Sequence, residues 1–213
     1  MLKIIKIAHP IPFQWIIRVK NIEMNIIDTE IPEVKIIEPV VFGDHRGYFF
    51  ESFSQQEFDE KVCKTQFVQD NESKSKFGVL RGLHFQKAPY AQSKLVRVVQ
   101  GSVLDVAVDI RRGSPTFGKY VAAELNDENK RQMFVPRGFA HGFVVLSDEV
   151  IFQYKCDNYY MAESEGGIAW DAPELAINWQ IPADRIILSE KDQNRCGLND
   201  AEYLFDYQVN LYE

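Results

Sequence analysis

A histidine and an arginine stand three positions apart in an apolar run, a pattern that could carry acid–base chemistry. The run Gly78-Val-Leu-Arg-Gly-Leu-His-Phe-Gln86 places Arg81 and His84 close to Gln86 and Lys94. A lone histidine in an apolar strand is usually a core residue, but a dry core does not accommodate so many polar groups without partners. The segment therefore predicts the wall of a polar pocket, in which a neutral imidazole with a pKa of about 6.5 could accept a proton.

Two further residues could complete an acid–base site. Asp192, in the segment Leu188-Ser-Glu-Lys-Asp192, could fix the tautomer of His84 and stabilise its charged form. By composition, three other aspartates could take this place: Asp105, Asp109 and Asp171. Tyr154, in Phe152-Gln-Tyr-Lys-Cys156, lies in a strand-like run, where a tyrosine is normally a core residue with its hydroxyl satisfied. The sequence leaves open whether this phenol faces a cavity.

A second segment contains the pattern Pro-x-Gly-x-x-His, which resembles the second sequence motif of the cupins. The segment is Phe134-Val-Pro-Arg-Gly-Phe-Ala-His-Gly-Phe143. In metal-binding cupins its histidine, here His141, joins a His-x-His pair and a glutamate from the first motif. The first motif here offers only His84, flanked by Leu83 and Gln86. Two separated histidines do not hold a divalent transition metal tightly, so we expect a site without a metal.

The elements that position these residues are predicted to be strands. Runs rich in aromatic and β-branched residues follow one another between turn residues: LRGLHFQ, KLVRVVQGSVLDVAVDI, KYVAAEL, RQMFVPRGFAHGFVVLS and VIFQYKC. Leu104, Val106 and Val108 alternate with Asp105 and Asp109, the period of a strand with one face packed inward. The pattern predicts an all-β fold, a sandwich or jelly roll with a few short peripheral helices.

Elements at the two ends of the chain complete this prediction. Val34–Phe42 and Tyr48–Phe53 are expected to form a hairpin around Gly-Asp-His-Arg-Gly. One helix is expected over Gln55–Lys64, with Ser54 as its N-cap. The final stretch, NDAEYLFDYQVNLYE, is expected to form a small closing element.

Composition limits the classes of function. The net charge of −7 opposes binding to nucleic acid or to an anionic membrane surface. Three cysteines without a CxxC pair indicate neither a disulfide framework nor a thiolate zinc site, which favours the cytoplasm. No stretch approaches the roughly 20 apolar residues of a membrane span. Residues 1–23 are interpreted as a poorly ordered N-terminal extension, with Met24 as an alternative start, and residues 24–213 as a single domain.

Taken together, the motifs closely resemble the dTDP-4-dehydrorhamnose 3,5-epimerase family, from about Met24 to Leu198. The matching segments are Asp44-His-Arg-Gly-Tyr-Phe-Phe-Glu51, Gln69-Asp-Asn-Glu-Ser73, Val79-Leu-Arg-Gly-Leu-His-Phe-Gln86, Gln92-Ser-Lys94, Asp109-Ile-Arg-Arg-Gly-Ser-Pro-Thr-Phe-Gly118, Pro136-Arg-Gly-Phe-Ala-His-Gly-Phe143, Tyr154-Lys-Cys156, Tyr159-Tyr160 and Leu188-Ser-Glu-Lys-Asp192. The resemblance implies a cytoplasmic jelly-roll homodimer that acts without a cofactor on a dTDP-linked 4-keto-6-deoxyhexose. It places the chain in the biosynthesis of activated L-rhamnose, a precursor of cell-surface polysaccharide.

The same resemblance implies roles for individual residues. His84 is the base, Asp192 its partner, Tyr154 the acid on the opposite face of the sugar, and Lys94 the cation beside the keto oxygen. Two matched aromatics, Phe49 and Tyr160, are expected to stack on thymine. The remaining matched positions are expected to contact the nucleotide, the diphosphate or the sugar: Arg46, Glu51, Gln69, Asn71, Arg81, His141, Glu165 and Lys191.

The sequence leaves several alternatives open. One or two pocket contacts would decide between a 3,5-epimerase and an enzyme that inverts only C3 or only C5. A metallocupin oxygenase or isomerase is disfavoured by the single histidine of the first motif. A cupin that binds nucleotide sugars without turnover is disfavoured because His84, Tyr154 and Asp192 are all present. The chain departs from the family at Ala172, between Asp171 and Pro173, where we expect an altered loop near the site.

Overall fold

Short strands make up most of the chain, as its content of aromatic and β-branched residues predicts. The structure is a computed structural model that describes residues 24–213. The predicted N-terminal extension, residues 1–23, lies outside the described residues. The strands are β1 (Asn25–Asp28), β2 (Lys35–Glu38), β3 (Phe42–Asp44), β4 (Gly47–Phe49), β5 (Gln69–Lys76), β6 (Leu80–Gln86), β7 (Lys94–Gln100), β8 (Ser102–Asp109), β9 (Arg111–Arg112), β10 (Tyr120–Asn126), β11 (Gln132–Val135), β12 (Phe139–Val145), β13 (Glu149–Cys156), β14 (Glu165–Gly167) and β15 (Phe205–Asp206). The helices are α1 (Gln55–Lys61) and α2 (Glu190–Gln193), with 3-10 turns at Ala162–Ser164 and Ala183–Arg185.

Two antiparallel sheets enclose the interior. The first sheet has the strand order β1-β2-β11-β7-β13-β5, and the second has the order β10-β8-β12-β6-β14. Side chains from both sheets, including Val96 and Phe152 of the first and Val103 and Phe143 of the second, form one apolar cluster between them. Phe143 and Phe152 stack with ring centroids 4.1 Å apart across this gap. The predicted fold class, an all-β jelly roll of the cupin type, is confirmed.

The second sheet is buried on both faces, whereas the alternation in β8 predicts burial of one. Ala107 faces the first sheet, and Val106 on the other face packs in a cluster with Ile168 and Trp179. Residues after β14 run across the outer face of this sheet and exclude water from it. Asp105, although polar, is fully buried on the inner face. Both faces of β8 are buried because the C-terminal third supplies a second apolar layer.

Helix α1 begins where the sequence predicts and ends three residues earlier than Lys64. The Ser54 side chain accepts a hydrogen bond from the backbone N–H of Glu57, which satisfies one of the free donors of the first turn. The N–H groups of Val62 and the following residue both bond to the carbonyl of Phe58, which closes the helix. Phe58 is fully buried against aromatic neighbours, so the helix is pinned to the first sheet by one side chain.

The predicted strand Val34–Phe42 is divided into β2 and β3. Pro39 follows β2 directly and cannot donate a backbone hydrogen bond to a neighbouring strand, which accounts for the break. β3 and β4 then form the expected hairpin, with Asp44 opposite Gly47. At the other end of the chain, the predicted closing element is present as β15, which pairs with β9. Neither described helix has the length or the apolar character for a bilayer crossing.

Candidate active site

A cavity lies between the two sheets and is lined by side chains from both. It has a main lobe of about 460 Å³ and an adjoining lobe of about 260 Å³. Both lobes are bounded by the same six residues: Asn71, His84, Lys94, Tyr154, Ser189 and Asp192. Volumes of this size are typical of sites for small molecules and cofactors. The four residues expected to be catalytic therefore surround one space.

His84 on β6 is hydrogen-bonded to Asp192, and of the four candidate aspartates only this one contacts it. Nε2 of His84 lies 2.5 Å from Oδ1 of Asp192. Burial alone would raise the pKa of Asp192, but the hydrogen bond and charge of His84, with a hydrogen bond from Ser189, lower it overall. An ionised carboxylate can only accept, so the imidazole proton sits on Nε2, and Nδ1, which has no partner within residues 24–213, is left as an acceptor.

The short helix α2 positions Asp192. The Ser189 hydroxyl accepts a hydrogen bond from the Asp192 backbone N–H at 3.2 Å and caps the helix. Just before it, Ile187 is bonded through its N–H and carbonyl to Gly78 and Leu80, at the start of β6. The base and its carboxylate partner are thus tied to one strand. Sequence reasoning missed Ser189, although Ser-x-x-Asp is a recognisable helix start.

A second histidine–carboxylate pair lies deeper in the cavity. His141 on β12 stands directly opposite His84 in the sheet register, and its Nε2 lies 2.9 Å from Oδ1 of Asp105. Burial lowers the pKa of His141, and Asp105 only partly offsets this effect. His141 is therefore neutral at pH 7 and a weaker base than an ordinary histidine. The two strands approach closely because Gly82 faces Gly142, and a Cβ at Gly82 would lie 2.5 Å from the Gly142 Cα.

The opposite wall of the cavity carries a phenol and an ammonium group. Tyr154 on β13 and Lys94 on β7 belong to the first sheet, and Nζ of Lys94 lies 6.0 Å from the centroid of the Tyr154 ring. Burial raises the pKa of Tyr154, so its phenol is protonated at neutral pH. Burial also lowers the pKa of Lys94. Among residues 24–213, Nζ of Lys94 has no hydrogen-bond or ion-pair partner, and it is available for an anionic oxygen.

Charged and polar residues form the rim of the smaller lobe. Glu165 on β14 accepts hydrogen bonds from the Tyr160 hydroxyl at 2.9 Å and from Nη2 of Arg195 at 2.8 Å, and it also pairs with Lys191. Burial favours neutral Glu165, but its hydrogen bonds to Lys191 and Tyr160 lower its pKa overall. Arg195 was missed in the sequence because it lies outside every matched motif.

Three other expected contacts reach the cavity. The side-chain amide of Gln69 donates to Oδ1 of Asn71 at 2.9 Å, and both line the smaller lobe. Arg81 lines the main lobe, where its Nε donates to the Ser75 hydroxyl and its terminal nitrogens have no partner among the described residues. An exposed guanidinium of this kind suits a phosphate group.

Three predicted contacts lie outside the cavity of the single chain. Arg46, Phe49 and Glu51 belong to the β3–β4 hairpin and the residues after it, and none of them lines either lobe. Phe49 is 65% exposed, and Arg46 is hydrogen-bonded to Asp44 within the hairpin. Within one chain, the structure therefore does not bring these three residues to the site.

Two other expectations can be compared with the structure. Ala172 is buried in the outer apolar cluster and lines neither lobe of the cavity. Among residues 24–213, no group of three or more His, Cys, Asp or Glu side chains is arranged to hold a metal ion. The prediction of metal independence rests on the donor set, in which each of the two motifs supplies one histidine.

Comparison with known proteins identifies close relatives. The sequence profile of dTDP-4-dehydrorhamnose 3,5-epimerase matches residues 28–200. The dTDP-4-dehydrorhamnose 3,5-epimerase of Shigella flexneri is 58% identical over 84% of this chain and 99% of that protein. The crystal structure of dTDP-6-deoxy-D-glucose-3,5-epimerase from Legionella pneumophila, in complex with dTDP-4-keto-L-rhamnose, is 53% identical over 88% of this chain and 100% of that one, with a TM-score of 0.84. A 3′-monoepimerase from Streptomyces bikiniensis, solved with dTDP-quinovose, is 32% identical over 85% of this chain and 93% of that one, with a TM-score of 0.79.

The pH dependence of stability tests the Asp192 interaction. A carboxylate with a lowered pKa in the folded state stabilises the protein above its unfolded pKa of about 3.9, and this contribution is lost as the pH falls through the lowered value. We expect Asp192→Asn to be about 2 kcal/mol less stable than the parent chain at pH 7, with the difference shrinking below pH 4. Urea unfolding at a series of pH values measures this difference. The exposed Asp171→Asn is the control, and a gap for Asp192→Asn that stays constant down to pH 3 would contradict the assignment.

Proposed function

The chain belongs to the dTDP-4-dehydrorhamnose 3,5-epimerase family, and we propose that it converts dTDP-4-dehydro-6-deoxy-D-glucose into dTDP-4-dehydro-L-rhamnose by inverting C3 and C5. One observation supports this proposal above the others. His84 on one sheet, paired with Asp192 of helix α2, faces Tyr154 and Lys94 on the other sheet across a cavity of suitable size. An inversion needs this arrangement, because a proton must leave one face of the sugar and another must arrive on the opposite face.

His84 acts as the base. The hydrogens at C3 and C5 are acidic because the carbonyl at C4 delocalises the charge left behind. Nδ1 of His84 takes the proton, and the carboxylate of Asp192 at Nε2 stabilises the imidazolium that results. His141 is less suited to this role since burial lowers its pKa, and we assign it to contact with the sugar.

Lys94 stabilises the enolate. Removal of either proton places negative charge on the C4 oxygen, and a cation that is already in position can hold it in a water-poor site. Nζ of Lys94 has no competing partner among the described residues. Burial disfavours the charged form of this lysine in the free protein, and an adjacent enolate oxygen favours it. The charge on Lys94 is therefore best stabilised when the intermediate is formed.

Tyr154 completes each inversion. Its protonated phenol delivers a proton to the enolate carbon on the face opposite His84, and solvent then removes the added proton from His84 and returns one to Tyr154. The raised pKa of Tyr154 makes the phenol a proton donor at neutral pH and the phenolate a short-lived species. The same two groups act at C5 and at C3, so no metal or cofactor is required by the chemistry.

The nucleotide is held at the open side of the cavity. We assign Arg81 and Lys191 to the diphosphate, because cationic side chains at the edge of the cavity can bond phosphate oxygens. Gln69, Asn71 and Glu165 are assigned to polar atoms of the nucleoside or sugar. Tyr160, which is 53% exposed beside Glu165, presents a ring on which thymine can stack.

A second copy of the chain completes the site. The hairpin and the residues before it expose an apolar strip that a monomer would leave in water: Val40, Val41, Phe42, Tyr48 and Phe49. We propose a homodimer in which Arg46, Phe49 and Glu51 from one protomer reach the cavity of its partner. This arrangement buries the strip and accounts for the distance of these three residues from their own cavity.

The three cysteines, none in a disulfide, suit the reducing cytoplasm.

Proton NMR in heavy water tests the reaction. We expect the purified protein, without added metal, to incorporate deuterium at both C3 and C5 of dTDP-4-dehydro-6-deoxy-D-glucose and to form the L-lyxo product. His84→Ala should fold normally and reduce turnover by at least about 10³-fold, because the base is lost.

Other outcomes of this measurement distinguish the alternatives. Exchange at one carbon only would replace the proposal with a single-site epimerase. Binding without exchange would indicate a nucleotide-sugar-binding protein, and turnover that requires iron or manganese would indicate a metallocupin.

The role of the hairpin is tested by Phe49→Ala. If Phe49 stacks on the base in the partner's cavity, its loss should raise KM about tenfold and leave kcat within about threefold, since stacking does not take part in the proton transfers. Phe117→Ala, which removes another exposed phenylalanine, is the control. Sedimentation at assay concentrations measures the oligomeric state. A fully active monomer, or an unchanged KM in Phe49→Ala, would contradict the shared site.

A further inference from the structure

The last residues of the chain return to the strand that carries Lys94. The Tyr212 hydroxyl lies 2.7 Å from the hydroxyl of Ser93, the residue immediately before Lys94. It also accepts a hydrogen bond from the backbone N–H of Arg137 at 3.2 Å. Ser93 is fully buried, so this contact reaches from the partly exposed chain end to the interior.

Arg137 holds the chain end in place. Its Nη1 donates to the carbonyl of Leu211 at 2.7 Å, and its guanidinium carbon lies 5.0 Å from the centroid of the Tyr212 ring. On its other side, Nε of Arg137 donates to Oδ2 of Asp157 at 3.1 Å. The guanidinium therefore joins the C-terminus to a buried carboxylate.

Asp157 connects this cluster to the same strand. One carboxylate oxygen accepts the backbone N–H of Ser93 at 2.6 Å, and the other accepts the Thr65 hydroxyl at 2.8 Å. The side chain of Asp157 is fully buried. Ser93 is thus held twice, through its backbone by Asp157 and through its side chain by Tyr212.

The cluster stands where three strands of the cavity begin or end. Lys94, the first residue of β7, follows Ser93, and Cys156, the last residue of β13, precedes Asp157. Arg137 lies in the turn that leads into β12 and His141. Leu211 and Tyr212 lie beyond residue 200, where the match to the family ends.

We propose that residues 205–212 form a C-terminal latch in which Tyr212, acting through Ser93, is a positioning residue for Lys94. The ammonium group of Lys94 has no hydrogen bond within residues 24–213. Its place in the cavity is therefore set by the position of the Lys94 backbone at the start of β7 and by packing. The latch is anchored upstream by Phe205, which is buried, and by Tyr207, whose ring lies 5.1 Å from the Arg111 guanidinium carbon. The inference rests on the role proposed for Lys94 in catalysis.

Tyr212→Phe tests the latch with little change in volume. It removes the hydroxyl and keeps the ring over Arg137. We expect kcat to fall about threefold to tenfold with KM within about twofold, because loss of the hydroxyl's hydrogen bonds to Ser93 and Arg137 displaces Lys94 from the enolate and not from the bound nucleotide. Tyr207→Phe is the matched control, since its hydroxyl, in the same segment, has no partner among the described residues and kcat should not change.

A direct readout at Lys94 separates positioning from general stability. Burial lowers the pKa of Lys94 in the closed cavity, so a loosened β7 should admit water and raise its NMR titration midpoint toward that of an ordinary lysine. We expect this rise in Tyr212→Phe and in Ser93→Ala, and no rise in the double variant beyond that of Tyr212→Phe, because the Ser93 contact is already lost there.

Either of two outcomes would overturn the latch. One is a lowered unfolding temperature in Tyr212→Phe with unchanged kcat and unchanged Lys94 titration, which would make the contact structural only. The other is an equal loss of kcat in Tyr207→Phe. If the parent chain shows no proton exchange at all, the proposed function fails, and the Lys94 titration still decides whether the latch exists.

Discussion

The hydrogen bond between His84 and Asp192 is the interaction on which the site depends. The two residues are 108 positions apart, and they meet only because the chain after β14 folds back over the second sheet and pairs with the start of β6. The same return of the chain buries the outer face of that sheet. This return of the chain therefore has two effects. It covers the outer face of the second sheet with apolar side chains, and it brings Asp192 to His84, where the carboxylate fixes the tautomer of the imidazole.

The jelly roll meets a second requirement of the site, because it holds His84 and Tyr154 on opposite sides of the cavity. Strand alternation directs His84 from one sheet and Tyr154 from the other into the same cavity, so the proposed proton acceptor and the proposed proton donor face a ligand from opposite sides. Burial then acts on each group according to its charge. It keeps the phenol of Tyr154 protonated, keeps His141 neutral, and disfavours the charged form of Lys94.

Local signals in the sequence predicted the strands, the Ser54 cap and the β3–β4 hairpin, because each depends on neighbouring residues. The choice of Asp192 over Asp105, Asp109 and Asp171 could not be made from composition, since it depends on long-range folding. Arg195 and the contacts of Tyr212 were missed for the same reason: their partners lie far away in the chain. The resemblance to a family supplied the site residues, and the geometry shows which of them one chain brings together.

The most direct measurement is the partition between exchange and inversion in Tyr154→Phe, followed by proton NMR in heavy water. If His84 and Tyr154 divide the work across the sugar ring, this variant should still incorporate deuterium with retained configuration, within about tenfold of the parent rate, while formation of the inverted product falls by at least about 10²-fold. Inversion at the parent rate would show that another group donates the proton. Loss of exchange together with inversion would contradict the separate roles of the two residues.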